Sequence, residues 1–226
     1  MTVTEQTSKT TSTQRAAEEL RQMIVSGTLA AGTDHLETEL AARLGMSRTP
    51  VREATLVLEG QGLLEVRPRK GVRILPISPE DMEEIYAILT TLESLAAGRA
   101  AQIGYGRSDL AELSESIAAM DAALAQEDRE GWAAADSRFH SELMRLGGNK
   151  RAEGIVHMLS DQVHRARMAT LWVRPLPEKS NDDHRRVRDA IRAGNFEEAR
   201  QAHHSHRVQS GALLVELLRR NRLFSL

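Results

Sequence analysis

Asp136 and His140 stand four residues apart, the spacing that puts two side chains on one face of a helix. Their segment carries Trp132, Ala135, Phe139 and Leu143 at the helical period, and the pair borders that apolar stripe. A carboxylate turned inward is costly unless it is paired or bound to a cation. His184 shares a stripe with Val187 and Ile191. His206, at 100° per residue, falls between Ala199, Ala202, Leu213 and Leu217. One carboxylate and three imidazoles on three helices can therefore converge in a single core. That donor set suits a borderline divalent cation such as Zn, Ni or Mn, with room left for an oxygen of a small organic acid. His203 is the nearest rival ligand, about 40° off the stripe centre, while His204 points outward.

A second chemistry lies near the other end. In 36–74, Leu36, Leu40 and Leu44 give one apolar edge, and Gly45 offers a left-handed stop. Ser47 or Thr49 can cap the next helix, with Pro50 in its first turn. Val51, Ala54 and Leu58 form its inward face, so Arg48, Thr49 and Arg52 look outward. A helix carrying guanidinium groups on its free face fits a DNA major groove. Leu63–Val66 and Gly71–Ile74 read as two short strands around a basic turn, with Arg67, Arg69, Lys70 and Arg73 crowded there.

These residues need scaffolds, and composition says which kind. The chain has 226 residues, enough to bury a real core in one or two domains. Its formal net charge is −2, so any grip on nucleic acid must come from a local basic cluster. The absence of cysteine excludes disulfides and thiolate metal sites and fits a reducing cytoplasm. No run of about 18 apolar residues and no signal-peptide core is present, so no membrane partner is expected. Aromatic residues make up 3%, too few for a base-stacking surface of the single-strand-binding kind.

In chain order, 1–12 is polar and Thr-rich, expected as a disordered tail. A first helix runs from a Ser12 or Thr13 cap to Val25, with Ala16, Leu20, Met23 and Ile24 inward. A loop containing His35 leads to the helix pair and hairpin. Pro76 and Ser78-Pro79 mark a linker, dividing a 13–77 domain from a 78–226 domain. From Pro79 on no strand is expected. Breaks at 104–106, 128–131, 147–148, 174–177 and 194–195 leave six helices in an antiparallel all-α bundle. Ile85, Ile88, Leu92, Leu95 and Ala96 mark the inward face of its first helix; Leu110, Leu113, Ile117, Met120 and Leu124 mark that of its second.

Leu40-Ala41-Ala42-Arg43-Leu44-Gly45-Met46-Ser47-Arg48-Thr49-Pro50-Val51-Arg52-Glu53-Ala54, followed by Leu58, Glu59, Gly62 and Leu63, closely resembles the winged helix-turn-helix of GntR-family bacterial transcription regulators. The resemblance implies DNA contacts from Arg48, Thr49 and Arg52. It also implies a wing at Arg69, Lys70 and Gly71 whose glycine lets the tip approach the minor groove. Thr38 stands where some relatives carry a DNA-contacting Arg. The second domain resembles the FCD type of effector domain over about residues 80–220. The matching features are Asp136-Ser137-Arg138-Phe139-His140, Gly148-Asn149, His184 through Asn195, and Ala199 to His206. This resemblance implies a metal on Asp136, His140, His184 and His206, beside a pocket for a carboxylate effector.

Candidates for the pocket wall are Arg138, His164, Arg165 and His203. For His164, as for His157, ordinary polar packing is the other reading. Arg165 and Arg167 either meet the effector or form a solvated face. Many relatives carry an Arg on the first bundle helix where Leu89 stands here, so one carboxylate anchor is missing. The expectation is a homodimeric, ligand-responsive regulator on a palindromic double-stranded operator, not an enzyme. A constitutive dimeric repressor without a metal, or a metal-dependent hydrolase, is the alternative.

Overall fold

A computed structural model describes residues 11–221, and these divide between Ile77 and Ser78 into two compact units.

The first unit begins with α1 (Ser12–Val25). Its cap is Thr11, one residue earlier than expected. The Thr11 hydroxyl accepts from the Gln14 N–H at 3.1 Å and the Gln14 side chain accepts from the Thr11 N–H at 2.9 Å. This reciprocal box draws Thr11 and Ser12 out of the expected tail into the helix; the rest of that tail, 1–10, lies outside the described residues. Ala16, Leu20 and Ile24 are buried as expected, joined by Ala17, while Met23 is half-buried.

The strand β1 (Asp34–His35) comes next, in a segment expected as loop. Two residues are too few to show a period, so only its partner reveals it. The helices α2 (Glu37–Leu44) and α3 (Arg48–Gly60) follow, with Gly45 between them at φ 63°, the left-handed stop. Leu36 proves not to be part of the apolar edge: it sits in extended conformation ahead of α2, off the helical period, and is 46% exposed. Val51, Ala54 and Leu58 are fully buried.

The strands β2 (Leu64–Arg67) and β3 (Gly71–Ile74) pair antiparallel from Leu64 opposite Ile74 to Arg67 opposite Gly71. β1 pairs with the other edge of β3, giving the order β1-β3-β2. This third strand explains Gly71. Its φ is +86°, and a Cβ there would lie 2.1 Å from the His35 carbonyl oxygen. The residue is dictated by the strand behind it, whatever the hairpin tip approaches.

In the second unit the six expected helices form at the expected breaks: α4 (Pro79–Ile103), α5 (Ala111–Ala125), α6 (Arg129–Leu146), α7 (Lys150–Thr170), α8 (Glu178–Arg192) and α9 (Phe196–Asn221). The Ser78 hydroxyl caps α4 by accepting from the Asp81 N–H at 3.1 Å, with Pro79 in the first turn. The inward face of α4 matches expectation in part: Ile85 and Ala96 are buried and Leu92 is half-buried. Ile88 and Leu95 are 43% and 40% exposed, and the buried row runs through Met82, Tyr86, Leu89, Glu93, Ala97 and Ala100. A reading that follows apolar residues passes over a row with a carboxylate in its middle. Leu110, at the N-cap of α5, and Leu113, Ile117 and Met120 within it are buried as expected, while Leu124 is half-buried.

α4 and α9 lie antiparallel along each other. Gly211 near the end of α9 meets the Tyr86 ring near the start of α4, and Gly98 meets the Phe196 ring at the opposite ends. A Cβ at either glycine would sit 2.6 Å from that ring, so both glycines set how closely the helices approach. Midway along the contact the Arg207 guanidinium grips Glu93 through two hydrogen bonds, of 2.8 and 2.5 Å. Trp132, Phe139, Leu143, Val187 and Ile191 join residues of α4, α5 and α9 in one apolar core. Among the described residues no helix is long and apolar enough to cross a membrane.

Candidate nucleic-acid interface and metal centre

The first turn of α3 is exposed because its apolar residues begin only at Val51. Arg48, Thr49 and Arg52 all stand in solvent. Across from them the β2–β3 turn is held by the Lys70 N–H donating to the Arg67 carbonyl at 3.0 Å, with Arg69 at φ 65°. Arg48, Arg52, Arg69, Gly71 and Thr38 line one open groove between helix and hairpin. Thr49 and Lys70 are exposed but lie outside that lining.

The guanidinium groups divide into two kinds. Arg67 and Arg73 are each tied to Asp34 at 3.2 Å, and Arg67 also to Glu65 at 3.0 Å. Among the described residues no acid pairs with Arg48, Arg52 or Arg69. Those three are guanidinium groups left available to a polyanion, and a bidentate fork suits guanine edges and phosphates alike.

In the second unit, α6 supplies Asp136 and His140, α8 supplies His184 and α9 supplies His206, and all four are buried. One ligand atom from each lies within 4.8 Å of all the others. Asp136 Oδ2 is 3.6 Å from His140 Nε2, and Oδ1 is 3.5 Å from His184 Nε2. These distances exceed a sound hydrogen bond, and the nitrogens are left over: His140 Nε2 and both nitrogens of His184 are buried without a hydrogen-bond partner. Orphaned buried donors or acceptors are expensive, on the order of 1–3 kcal/mol each. Burial drives the His184 imidazole well below its ordinary pKa, with His206 pushing the same way against Asp136, so it stands neutral with a free lone pair. Burial alone would raise the Asp136 carboxyl. The Arg167 guanidinium, 2.7 Å away, opposes this most strongly, and the group is held well below the usual carboxylate range. A carboxylate, neutral imidazoles and unsatisfied nitrogens aimed at one point fit a divalent cation.

The surrounding shell orients these donors. The His140 ring presents Nδ1 to Glu93 Oε2 at 2.9 Å, and since a carboxylate only accepts, Nδ1 carries the proton and Nε2 faces the cluster. His206 turns Nδ1 toward Asp183 Oδ2, 3.5 Å away. His203 belongs to an adjoining group: its Nε2 is 3.3 Å from Glu93 Oε2 and 3.3 Å from His140 Nδ1. Burial pushes His203 down to about 3 despite Glu93, so this ring too is neutral. It supports His140 from behind and is not one of the four.

Other expected pocket residues fare unevenly. Arg138 is 54% exposed at its side chain and reaches toward Glu112 at 4.0 Å. One residue from Phe139 and two from both Asp136 and His140, it projects off the outer face of α6 and lines neither cavity beside the cluster. Arg165 is buried yet also lines neither; two residues on, Arg167 lines both. His164 and His157 do line a cavity of about 570 Å³ that reaches Glu93, His140 and Arg207. A second cavity, about 190 Å³, opens on Asp136, His140 and His206. Leu89 lines the larger one. Glu93, Arg207 and Asp183 escaped the sequence reading. The one available signal was that His203 and Arg207 share a face of α9 four residues apart, which calls for an acid opposite.

A helix-turn-helix with a basic wing, joined to an all-helical unit with a buried His and Asp cluster, defines a bacterial transcription regulator with a separate effector domain. Residues 12–74 match the family described as bacterial regulatory proteins, gntR family, and residues 84–209 match the FCD domain. The chain belongs to the GntR family, FCD type; it is a DNA-binding transcription regulator, and its relatives are regulators, not enzymes. It is 34% identical over 204 residues to the probable D-xylose utilization operon transcriptional repressor of Paenarthrobacter nicotinovorans, covering 88% of this chain and 89% of that one. It is 30% identical over 193 residues to the uncharacterized HTH-type transcriptional regulator YdhC of Bacillus subtilis, covering 83% and 85%. Among solved structures, E. coli McbR/YncC shares the fold with a TM-score of 0.75 at 23% identity, covering 91% of this chain and 98% of that chain.

Proposed function

We propose that the protein is a homodimeric repressor whose hold on a palindromic operator is set by a small carboxylate bound beside a divalent cation. Asp136, His140, His184 and His206 would hold the ion, zinc, nickel or manganese, and Arg48, Thr49, Arg52 and the Arg69-Lys70-Gly71 turn would hold the DNA. The observation that carries the sensing half is the meeting of four buried donors from three helices with nitrogens that nothing else satisfies. A bound ion supplies fixed positive charge that draws an anionic oxygen. Glu93 keeps His140 in the tautomer that faces the cluster. Arg167 holds Asp136 ionised. Two-fold operator symmetry calls for two copies of the chain, since one winged unit covers a half-site. Effector binding shifts the population toward a form with weaker operator affinity, for which a differential of a few kcal/mol is enough. The relative named for a D-xylose utilization operon directs the search for target genes toward sugar use.

The test is metal analysis of protein purified without chelator, joined to gel shifts on DNA upstream of its own gene. About one ion per chain is expected, lost in His184→Ala, with operator binding relieved by a small acid only in metal-loaded protein. Equal metal content in His184→Ala and wild type, or relief that ignores chelation, counts against the reading.

A further inference from the structure

The cavity of about 190 Å³ beside the cluster holds an arginine that no acid matches. Arg174 lies between α7 and α8, and its backbone is fixed there. Its N–H donates to the Thr170 carbonyl at 3.1 Å, its own carbonyl accepts from Arg129 at 2.8 Å, and Pro175 and Pro177 stiffen the chain as it leaves toward α8. The half-buried side chain lines the cavity together with Trp132, Asp136, His140 and His206.

Counting charges around that space isolates it. Arg167 is committed to Asp136 at 2.7 Å, Arg207 to Glu93, and Lys179 reaches Asp183 at 3.8 Å. Among the described residues no carboxylate comes within ion-pair range of Arg174. Burial weakens its hold on the proton, and Arg167 presses the same way, against the weaker pull of Tyr86 and Asp136. A guanidinium cannot shed its proton at neutral pH, so an anion from outside is what relieves the charge. The space is smaller than the roughly 300–1,000 Å³ that houses drug-sized ligands, so the occupant is small.

We infer that Arg174 is the effector's carboxylate anchor: a small organic acid enters this cavity with its carboxylate on the Arg174 guanidinium and its other oxygen atoms toward Asp136, His140 and His206. The inference rests on the effector reading above and adds the residue that selects an acid over a neutral analogue. It also answers what stands in for the arginine absent at Leu89. Leu89 lines the larger cavity, whereas Arg174 lines the smaller one.

Calorimetric titration of the full-length, metal-loaded protein with acetate, glycolate and succinate, and with neutral glycolamide, tests it. Trp132 fluorescence serves as a second readout, since that ring lines the cavity. Expected is binding of at least one acid with glycolamide excluded, a loss of roughly ten- to a hundred-fold in Arg174→Gln, and partial retention in Arg174→Lys, all at unchanged metal content. Acid binding in Arg174→Gln equal to wild type overturns the anchor and leaves the metal-linked effector standing. Arg174-dependent binding that persists after chelation keeps the anchor and overturns the metal's part. Metal-loaded wild type that takes none of the acids overturns both.

Discussion

In the first unit the guanidinium groups of Arg48, Arg52 and Arg69 stand in solvent, with no acid paired to them among the described residues. In the second, Arg167 and Arg207 are buried with Asp136 and Glu93 among four imidazoles. The first unit's core is wholly apolar apart from Thr55; the second unit's is crossed by charge. The difference arises from what each must meet. Charges meant for phosphates and base edges have to stay hydrated and uncommitted until DNA arrives, and they add nothing to the fold. The second unit's buried Arg167 and Arg207 are held still in a dry place, which is tolerable because each has a carboxylate partner. Stability and function are thus nearly independent in the first unit and nearly inseparable in the second.

The sharpest way to break that contrast is Glu93→Gln. The amide keeps the shape but strands the buried Arg207 charge and removes the carboxylate that orients His140. Losing one partner of a buried pair costs about 3–5 kcal/mol. Thermal unfolding followed by calorimetry should show a transition lowered by roughly ten degrees, with the first unit unaffected. A shift of a degree or less would mean that Glu93 and Arg207 are dispensable and the second unit is built like the first.

The converse substitution is Arg48→Ala with Arg52→Ala. Each guanidinium contact is worth about 1–3 kcal/mol to operator binding, so the pair should lower affinity by about a hundred-fold or more in gel shifts. The melting temperature should not move, because neither side chain touches the core. Operator binding equal to wild type would remove α3 from the interface, and a large fall in stability would contradict the claim that these charges are free of the fold.

The same contrast explains what could be read before any coordinates. Helices and their ends were legible because caps and stops are local: Gly45, Ser78-Pro79, Gly104 and Gly147-Gly148 act within a turn of themselves. The inward Asp136, His140, His184 and His206 were legible because each lies on an apolar stripe of its own helix. Glu93 was not, because the row it occupies on α4 becomes the buried one only when α9 brings Arg207 and His203 against it. β1 was hidden for the same reason, since a two-residue strand exists only through Val72 and Arg73. Arg138 was misplaced by adjacency: sharing a motif with Asp136 and His140 does not put it on their face. Arg174 lies in a proline-flanked turn with no period to declare a direction, so its side chain could be located only by the cavity it lines.

The smallest effect separates the two kinds of surface arginine within the first unit. Asp34 holds both Arg67 and Arg73 at 3.2 Å, with about half its side chain exposed. Such exposed pairs contribute about 0–1 kcal/mol, so Asp34→Asn should barely change unfolding. It should, however, free Arg73 and leave Arg67, which lines the groove with Arg48, Arg52 and Arg69, held by Glu65 alone. If uncommitted charge is what the interface is made of, affinity for any duplex should rise a few-fold. The dependence of log affinity on log salt should steepen by up to about one for each arginine that finds a phosphate. The gain should be as large on scrambled DNA as on the operator, because phosphate contacts carry no sequence. An unchanged salt slope would mean that Arg67 and Arg73 serve the sheet alone and that the DNA face ends at Arg69.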